Sequence, residues 1–145
     1  MPDLPRRALG RTGLQVTTLG FGALELRGMV AGVGRPLLPE QPERILNAVL
    51  DAGLNYIDIA VDYGEAEAHL GRCIAHRRQE FFLASKCGCP LDVRQFTPGE
   101  RTRFGVPLPH LHDYSQHNIL DAVHQSLRRM RTDYLDVLQF HFSPA

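Results

Sequence analysis

The sequence predicts an α/β protein built on a parallel sheet. Short apolar runs alternate with amphipathic helical patterns, and Gly, Pro or Ser stands at the breaks between them. Several of the apolar runs also carry one polar residue near the end, where parallel α/β proteins build their sites. The chain of 145 residues is 43% hydrophobic and 22% charged, the balance of a folded protein, and reads as a single domain over 1–145.

The elements follow in order. "RALGRTGLQV" has two turn-favouring glycines and predicts a small N-terminal β-hairpin, and "VTTLGFGAL" (16–24) predicts a strand that ends near Gly20 and Gly22. "PERILNAVLDAG" (42–53) is a helix: Pro42 suits its first turn, Ile45, Leu46, Val49 and Leu50 share a face, and Gly53 stops it. Asn55 to Ala60 is the next strand. Glu65 to His76 is a helix, with Leu70, Cys73 and Ile74 at helical spacing and two acids in its first turn. "EFFLASK" (80–86) is a strand, and a long loop follows over 87–114. Ser115 caps a helix carrying Ile119, Leu120, Val123, Leu127 and Met130. "YLDVLQFHF" (134–142) closes the series as a strand. Two architectures fit this order, a doubly wound open sheet or part of a (β/α)8 barrel. The dinucleotide fingerprint of the open sheet is absent, because about 20 residues separate Gly20-Phe21-Gly22 from any helix.

Composition excludes several functions. Sixteen basic residues balance sixteen acidic ones, so no charge excess points to nucleic acid or an anionic membrane. Arg77 and Arg78, and Arg128, Arg129 and Arg131, read as solvated helix ends. No apolar stretch approaches the roughly 20 residues of a membrane span, and MPDLPRRALG lacks a signal-peptide core, so a cytoplasmic protein is expected. The cysteines Cys73, Cys87 and Cys89 read as free thiols. Cys87 and Cys89 with His110 and His112 lack the spacing of common zinc modules, so no metal is expected.

Asp58, Lys86 and His141 are the polar residues near strand ends. Period-2 alternation puts them on one face with Tyr56, Phe82, Ala84 and Val137. Ile57, Ile59, Phe81, Leu83, Leu138 and Phe140 then face covering helices. Either an Asp58–Lys86 pair merely fixes packing, or these residues form a site with Tyr63, which stands just past its strand. Tyrosine is a poor acid near neutrality, but a neighbouring ammonium lowers its pKa, and a carboxylate holds that ammonium charged and oriented. Asp62, beside Tyr63, reads as an ordinary loop residue.

Four segments in order carry a resemblance: "LGRTGLQVTTLGFGAL", "DAGLNYIDIAVDYGEAEAHLG", "FFLASKCG" and "SLRRMRTDYLDVLQFH". Together they resemble the aldo-keto reductase family over essentially the whole length. The resemblance implies a (β/α)8 barrel of TIM type and hydride transfer from NADPH to an aldehyde or ketone, without metal. It implies that Tyr63 is the general acid, that Lys86 lowers its pKa, that Asp58 pairs with Lys86, and that His141 orients the substrate carbonyl. Gly22 and Asp58 would lie at the cofactor, and Tyr63 and His141 at the substrate. His110, His112 and Tyr114 stand in a loop that would border the substrate. A barrel of eight strands takes roughly 250 residues, so this chain corresponds to about the first four βα strands. The expectation is a piece of such an enzyme that binds NADPH weakly alone. The alternatives are a half that pairs with a C-terminal half or a second copy, and a non-catalytic binding or scaffold subunit.

Overall fold

The computed structural model describes residues 4–30, 32–91 and 96–142. A hairpin of β1 (Arg6–Ala8) and β2 (Gln15–Thr17) precedes the main sheet. That sheet has four strands: β3 (Phe21–Gly22), then, after a second small hairpin of β4 (Met29–Val30) and β5 (Val33–Gly34), β6 (Tyr56–Asp58), β7 (Phe82–Cys87) and β8 (Val137–Phe140). All its pairings are parallel, and its spatial order β3-β6-β7-β8 is the sequence order. A doubly wound sheet reverses strand order at its switch point. This sheet does not, so it is an open arc of the barrel type, and the barrel is not closed.

Helices α1 (Gln41–Asp51), α2 (Ala66–Cys73) and α3 (Gln116–Met130) fill the connections and pack in sequence, α1 on α2 and α2 on α3. Pro42 sits in the first turn of α1, and the Ser115 hydroxyl accepts from the Asn118 amide at 3.3 Å to cap α3. Ile57 and Leu83 are fully buried together with Leu46, Leu70 and Ile74, so the core lies between sheet and helices. Burying each such side chain stabilises the fold by roughly 1.5–3 kcal/mol.

Several expectations need correction. The predicted strand 16–24 is two elements: Val16 and Thr17 belong to the hairpin, and Phe21 and Gly22 to the arc. Asn55 explains the split, because its side chain accepts from the Thr17 amide at 2.6 Å and donates to the Gln15 carbonyl at 3.0 Å, docking the hairpin on the end of the arc. The helix expected through His76 ends at Cys73 and continues as a 3-10 segment, Ala75–Glu80.

On α3 the buried residues are Ala122, Ser126 and Met130, while Leu120 is exposed. Helix α3 approaches α2 closely at its C-terminal end, where a Cβ on Gly71 would collide with the Arg129 carbonyl and Met130; Ser126 meets Glu67 of α2, and Ala122 packs with Val61 and Cys89. Of the face assigned to helices, Ile57, Ile59, Phe81 and Leu83 are buried, but Leu138 is 44% and Phe140 59% exposed. Helix α3 packs on β7, and β8 makes its main contacts with β7.

Arg78 is not a solvated helix end. It is buried, pairs with Asp136 at 2.6 Å and donates to the Phe81 carbonyl at 2.7 Å, tying β7 to the start of β8. Arg77 pairs with Asp51 and Glu80, and Arg129 with Glu67, so these arginines also join elements. The thiols of Cys73, Cys87 and Cys89 are free, as expected, and all three are buried.

Candidate active site

Parallel register builds the first part of the site. Asp58 ends β6, and Lys86 stands near the end of β7 opposite Gln139 of β8. Lys86 Nζ donates to Asp58 Oδ2 at 2.7 Å and to the Ile59 carbonyl at 2.8 Å. Gln139 Nε2 donates to the other carboxylate oxygen, Oδ1, at 3.1 Å. The Asp58 carboxylate is therefore held on both oxygens, and the facing assigned to Asp58 and Lys86 is borne out by their contact.

Tyr63 enters from the loop after β6. Its amide donates to the Ala60 carbonyl at 3.1 Å, and its ring places its centroid 4.7 Å from Lys86 Nζ. Gly64, at φ 50°, allows this turn: a Cβ there would strike the Arg27 carbonyl and Val30. That close approach is locked by the Glu65 amide, which donates to the Arg27 carbonyl at 3.1 Å.

His141 follows β8 directly, and its amide donates to the Cys87 carbonyl at 3.0 Å. Its ring meets that of Tyr63 edge-on, with centroids 5.7 Å apart. The Tyr114 hydroxyl donates to the His141 carbonyl at 2.6 Å, so Tyr114 anchors the histidine segment through its backbone. All four predicted residues thus converge at the C-terminal rim of the arc.

Burial pushes the Tyr63 phenol above its ordinary range. Lys86 pulls it down but does not outweigh that effect, and Asp58 and Asp62 add to the rise. Lys86 thus lowers the phenol's pKa as expected, yet the net direction is upward, because Tyr63 is only 8% exposed and desolvation of a phenolate exceeds the attraction of the ammonium. Burial alone would lower the Lys86 pKa, yet it is raised, because the hydrogen bond to Asp58 and the charges of Tyr63 and Asp58 favour the ammonium.

Two further residues of the site escaped the sequence reading. Gln139 shares strand parity with Val137 and His141, which was the available signal. Asp62 is the larger miss. It is 2% exposed, with Oδ2 lying 3.3 Å from His141 Nδ1 and 4.0 Å from His112 Nε2. Cys89 Sγ lies 3.1 Å from the same His141 nitrogen. Of the four residues weighed as metal ligands, Cys89 and His112 are in this cluster. His110 is exposed on a 3-10 turn, and Cys87 is not among the grouped donors. Residues 92–95 of the 87–114 loop lie outside the described residues.

The strand-ordered parallel arc carries Asp, Lys, Tyr and His at its rim, and residues 18–145 match the model of the aldo/keto reductase family. The chain belongs to the aldo/keto reductase family. It is 30% identical to an L-galactose dehydrogenase from Arabidopsis thaliana, over 97% of this chain and 39% of that one. An aldo-keto reductase from Bacillus halodurans, solved in its holo form, superposes with a TM-score of 0.71 at 31% identity, covering 98% of this chain and 41% of that one. An aldo/keto reductase from Klebsiella pneumoniae, solved with NADP and acetate, gives a TM-score of 0.60 at 25% identity over 88% of this chain and 36% of that one. The chain therefore spans about two-fifths of the length of these aldo/keto reductases. No helix among the described residues is long and apolar enough to cross a membrane.

Proposed function

We propose that this chain carries the catalytic rim of an NADP(H)-dependent aldo/keto reductase that reduces an aldehyde or ketone. The observation that supports this best is the contact set of Asp58, Lys86 and Tyr63, with His141 edge-on to the phenol. The rim fits the nicotinamide end of the cofactor. Gly22 pairs in register with Asp58, and a side chain on Gly22 would meet nothing within 4 Å. NADP occupies the Klebsiella pneumoniae relative, and Gly22 and Asp58 would border it here. When bound, NADPH supplies the hydride for the carbonyl carbon.

The residues of this chain do the rest. Tyr63, kept protonated by its burial, donates its proton to the carbonyl oxygen as negative charge develops there. Lys86 offers its charge to the phenolate that results, so the ammonium acts most strongly after the proton has moved. Asp58, held by Lys86 and Gln139, fixes the ammonium beneath the ring. His141 donates to the carbonyl oxygen and orients it.

Residues 1–145 then form one unit, the N-terminal part of a barrel. The exposed Leu138 and Phe140 on β8 support a second element of the proposal, that the arc functions together with further barrel units, whose strand pairs with the edge of β8 and whose helix covers this face.

The test is Tyr63→Phe in a barrel carrying complementary strands. Carbonyl reduction should fall by about 10²–10⁴-fold, while NADPH affinity by fluorescence titration changes less than about twofold; retained turnover would refute Tyr63 as the acid. The 145-residue chain alone should bind NADPH only weakly, and micromolar or tighter binding would refute the need for further strands.

A further inference from the structure

Behind the rim, four side chains from separate segments converge on one point. Asp62 comes from the loop after β6, Cys89 from the loop after β7, His112 from the segment before α3, and His141 from the end of β8. Their donor atoms all lie within 4.8 Å of one another. The side chains of Asp62 and His112 are wholly shielded from solvent, Cys89 is 0% exposed, and the His141 side chain is 11% exposed.

This cluster has more lone pairs than protons, its two donors being the Cys89 thiol, which faces Asp62, and one ring hydrogen of His141. His112 Nδ1 stands 3.1 Å from the Leu108 carbonyl, and since a carbonyl only accepts, Nδ1 carries the hydrogen. In the neutral ring Nε2 is then a bare lone pair. It is buried without a hydrogen-bond partner among the described residues, as are both oxygens of Asp62. One proton on His141 Nδ1 can serve either Cys89 Sγ at 3.1 Å or Asp62 Oδ2 at 3.3 Å, but not both. A buried carboxylate left unsatisfied is strongly unfavourable. A cation placed among these atoms answers all four deficits at once.

We propose that Asp62, Cys89, His112 and His141 bind a divalent transition metal, with zinc the best match. A Cys-His-His-Asp set is a borderline-soft donor group of the kind zinc prefers. Tetrahedral bonds of about 2.0–2.3 Å put the donors roughly 3.3–3.8 Å apart, close to the observed contacts of 3.1, 3.3 and 4.0 Å. The Nδ1–H of His112 on the Leu108 carbonyl supplies the outer hydrogen bond that metal-bound histidines require.

Four protein donors close the coordination sphere, so the metal is structural: it ties the loop after β6 and two points of the 87–114 loop to the end of β8. Coordination through His141 Nδ1 leaves the remaining ring proton on Nε2, the one nitrogen then able to donate to a carbonyl. The metal site does not depend on that catalytic reading.

The test uses the full 145-residue chain, reduced and freed of metal by chelation, then titrated with Co²⁺. One equivalent should bind and give a thiolate-to-cobalt charge-transfer band together with the intense visible bands of tetrahedral cobalt; Zn²⁺ should bleach both. Cys89→Ser should lose the charge-transfer band, and Cys87→Ser should keep it. Loss of an outer hydrogen bond already weakens metal binding by about 10–100-fold, so Asp62→Asn, which removes a ligand, should weaken it by more than about 100-fold. Absence of the band, its survival in Cys89→Ser, or unchanged affinity in Asp62→Asn would each overturn the proposal. Should a variant fail to fold, wild-type chain decides: Zn²⁺ must slow alkylation of Cys89, read by mass spectrometry, and an unchanged rate refutes the site.

Discussion

Asp58 and Asp62 are four residues apart, yet their surroundings are opposite. Asp58 is partly open to solvent and held on both oxygens, by Lys86 and by Gln139. Asp62 is sealed from solvent and accepts no hydrogen bond from the described residues. One carboxylate has its cation in the chain, and the other is arranged around a place for one. Burial of a charged group therefore says little until its partners are counted: Asp58 has Lys86 and Gln139 on its two oxygens, and Asp62 has no comparable donors.

The comparison can be broken most forcefully at its satisfied end. Lys86→Met should lower stability by about 1–2 kcal/mol in urea unfolding. That is below the 3–5 kcal/mol of a fully buried pair, because the Asp58 side chain is 34% exposed and partly screened. An unchanged midpoint would mean that Gln139 alone satisfies Asp58.

Asp62→Asn sharpens the contrast and should act with opposite sign. Without metal it removes a starved charge and should stabilise the chain by about 1 kcal/mol; in saturating Zn²⁺ the same change should destabilise it. Destabilisation under both conditions would show that Asp62 already has its counter-charge in a protonated histidine.

The smallest effect is a pH dependence. The Lys86 pKa is raised in the folded chain by Asp58 and Tyr63, which outweigh the opposing effect of burial. A raised lysine contributes stability that is complete below its ordinary range near 10.5 and is lost as pH climbs through the folded value. Urea midpoints of wild type should therefore fall more steeply above about pH 10 than those of Lys86→Met, and parallel curves would contradict the assignment.

Some of this was legible in the residues. Period-2 facing put Asp58 and Lys86 on one side of neighbouring strands, and their ion pair follows from that parity. Parity also predicted the burial of Ile57 and Leu83. It failed at Leu138 and Phe140, since parity states a direction and cannot say whether a helix lies there. Leu120 was misassigned for a related reason. Helical spacing marks an apolar face, but the buried face is the one whose residues meet neighbours, Ala122 on Val61 and Cys89 and Ser126 on Glu67. Arg78 shows the same limit for charge: a basic pair beside a helix end looks solvated until Asp136 and the Phe81 carbonyl are brought to it.

By itself the sequence determined the alternation of strand and helix, the family, and three polar residues at strand ends with a tyrosine beside them. Those features depend on local pattern and on residue types at short spacing. Tertiary structure alone decided that the strand order runs without reversal, that Gln139 completes the hold on Asp58, and that Asp62, Cys89, His112 and His141 share one buried point. These depend on inter-strand register and on where loops return after β6, β7 and β8, which no local periodicity encodes. "NYIDIAVDYG" places two aspartates four residues apart, and only the folded chain gives one of them a lysine and the other a cage of lone pairs.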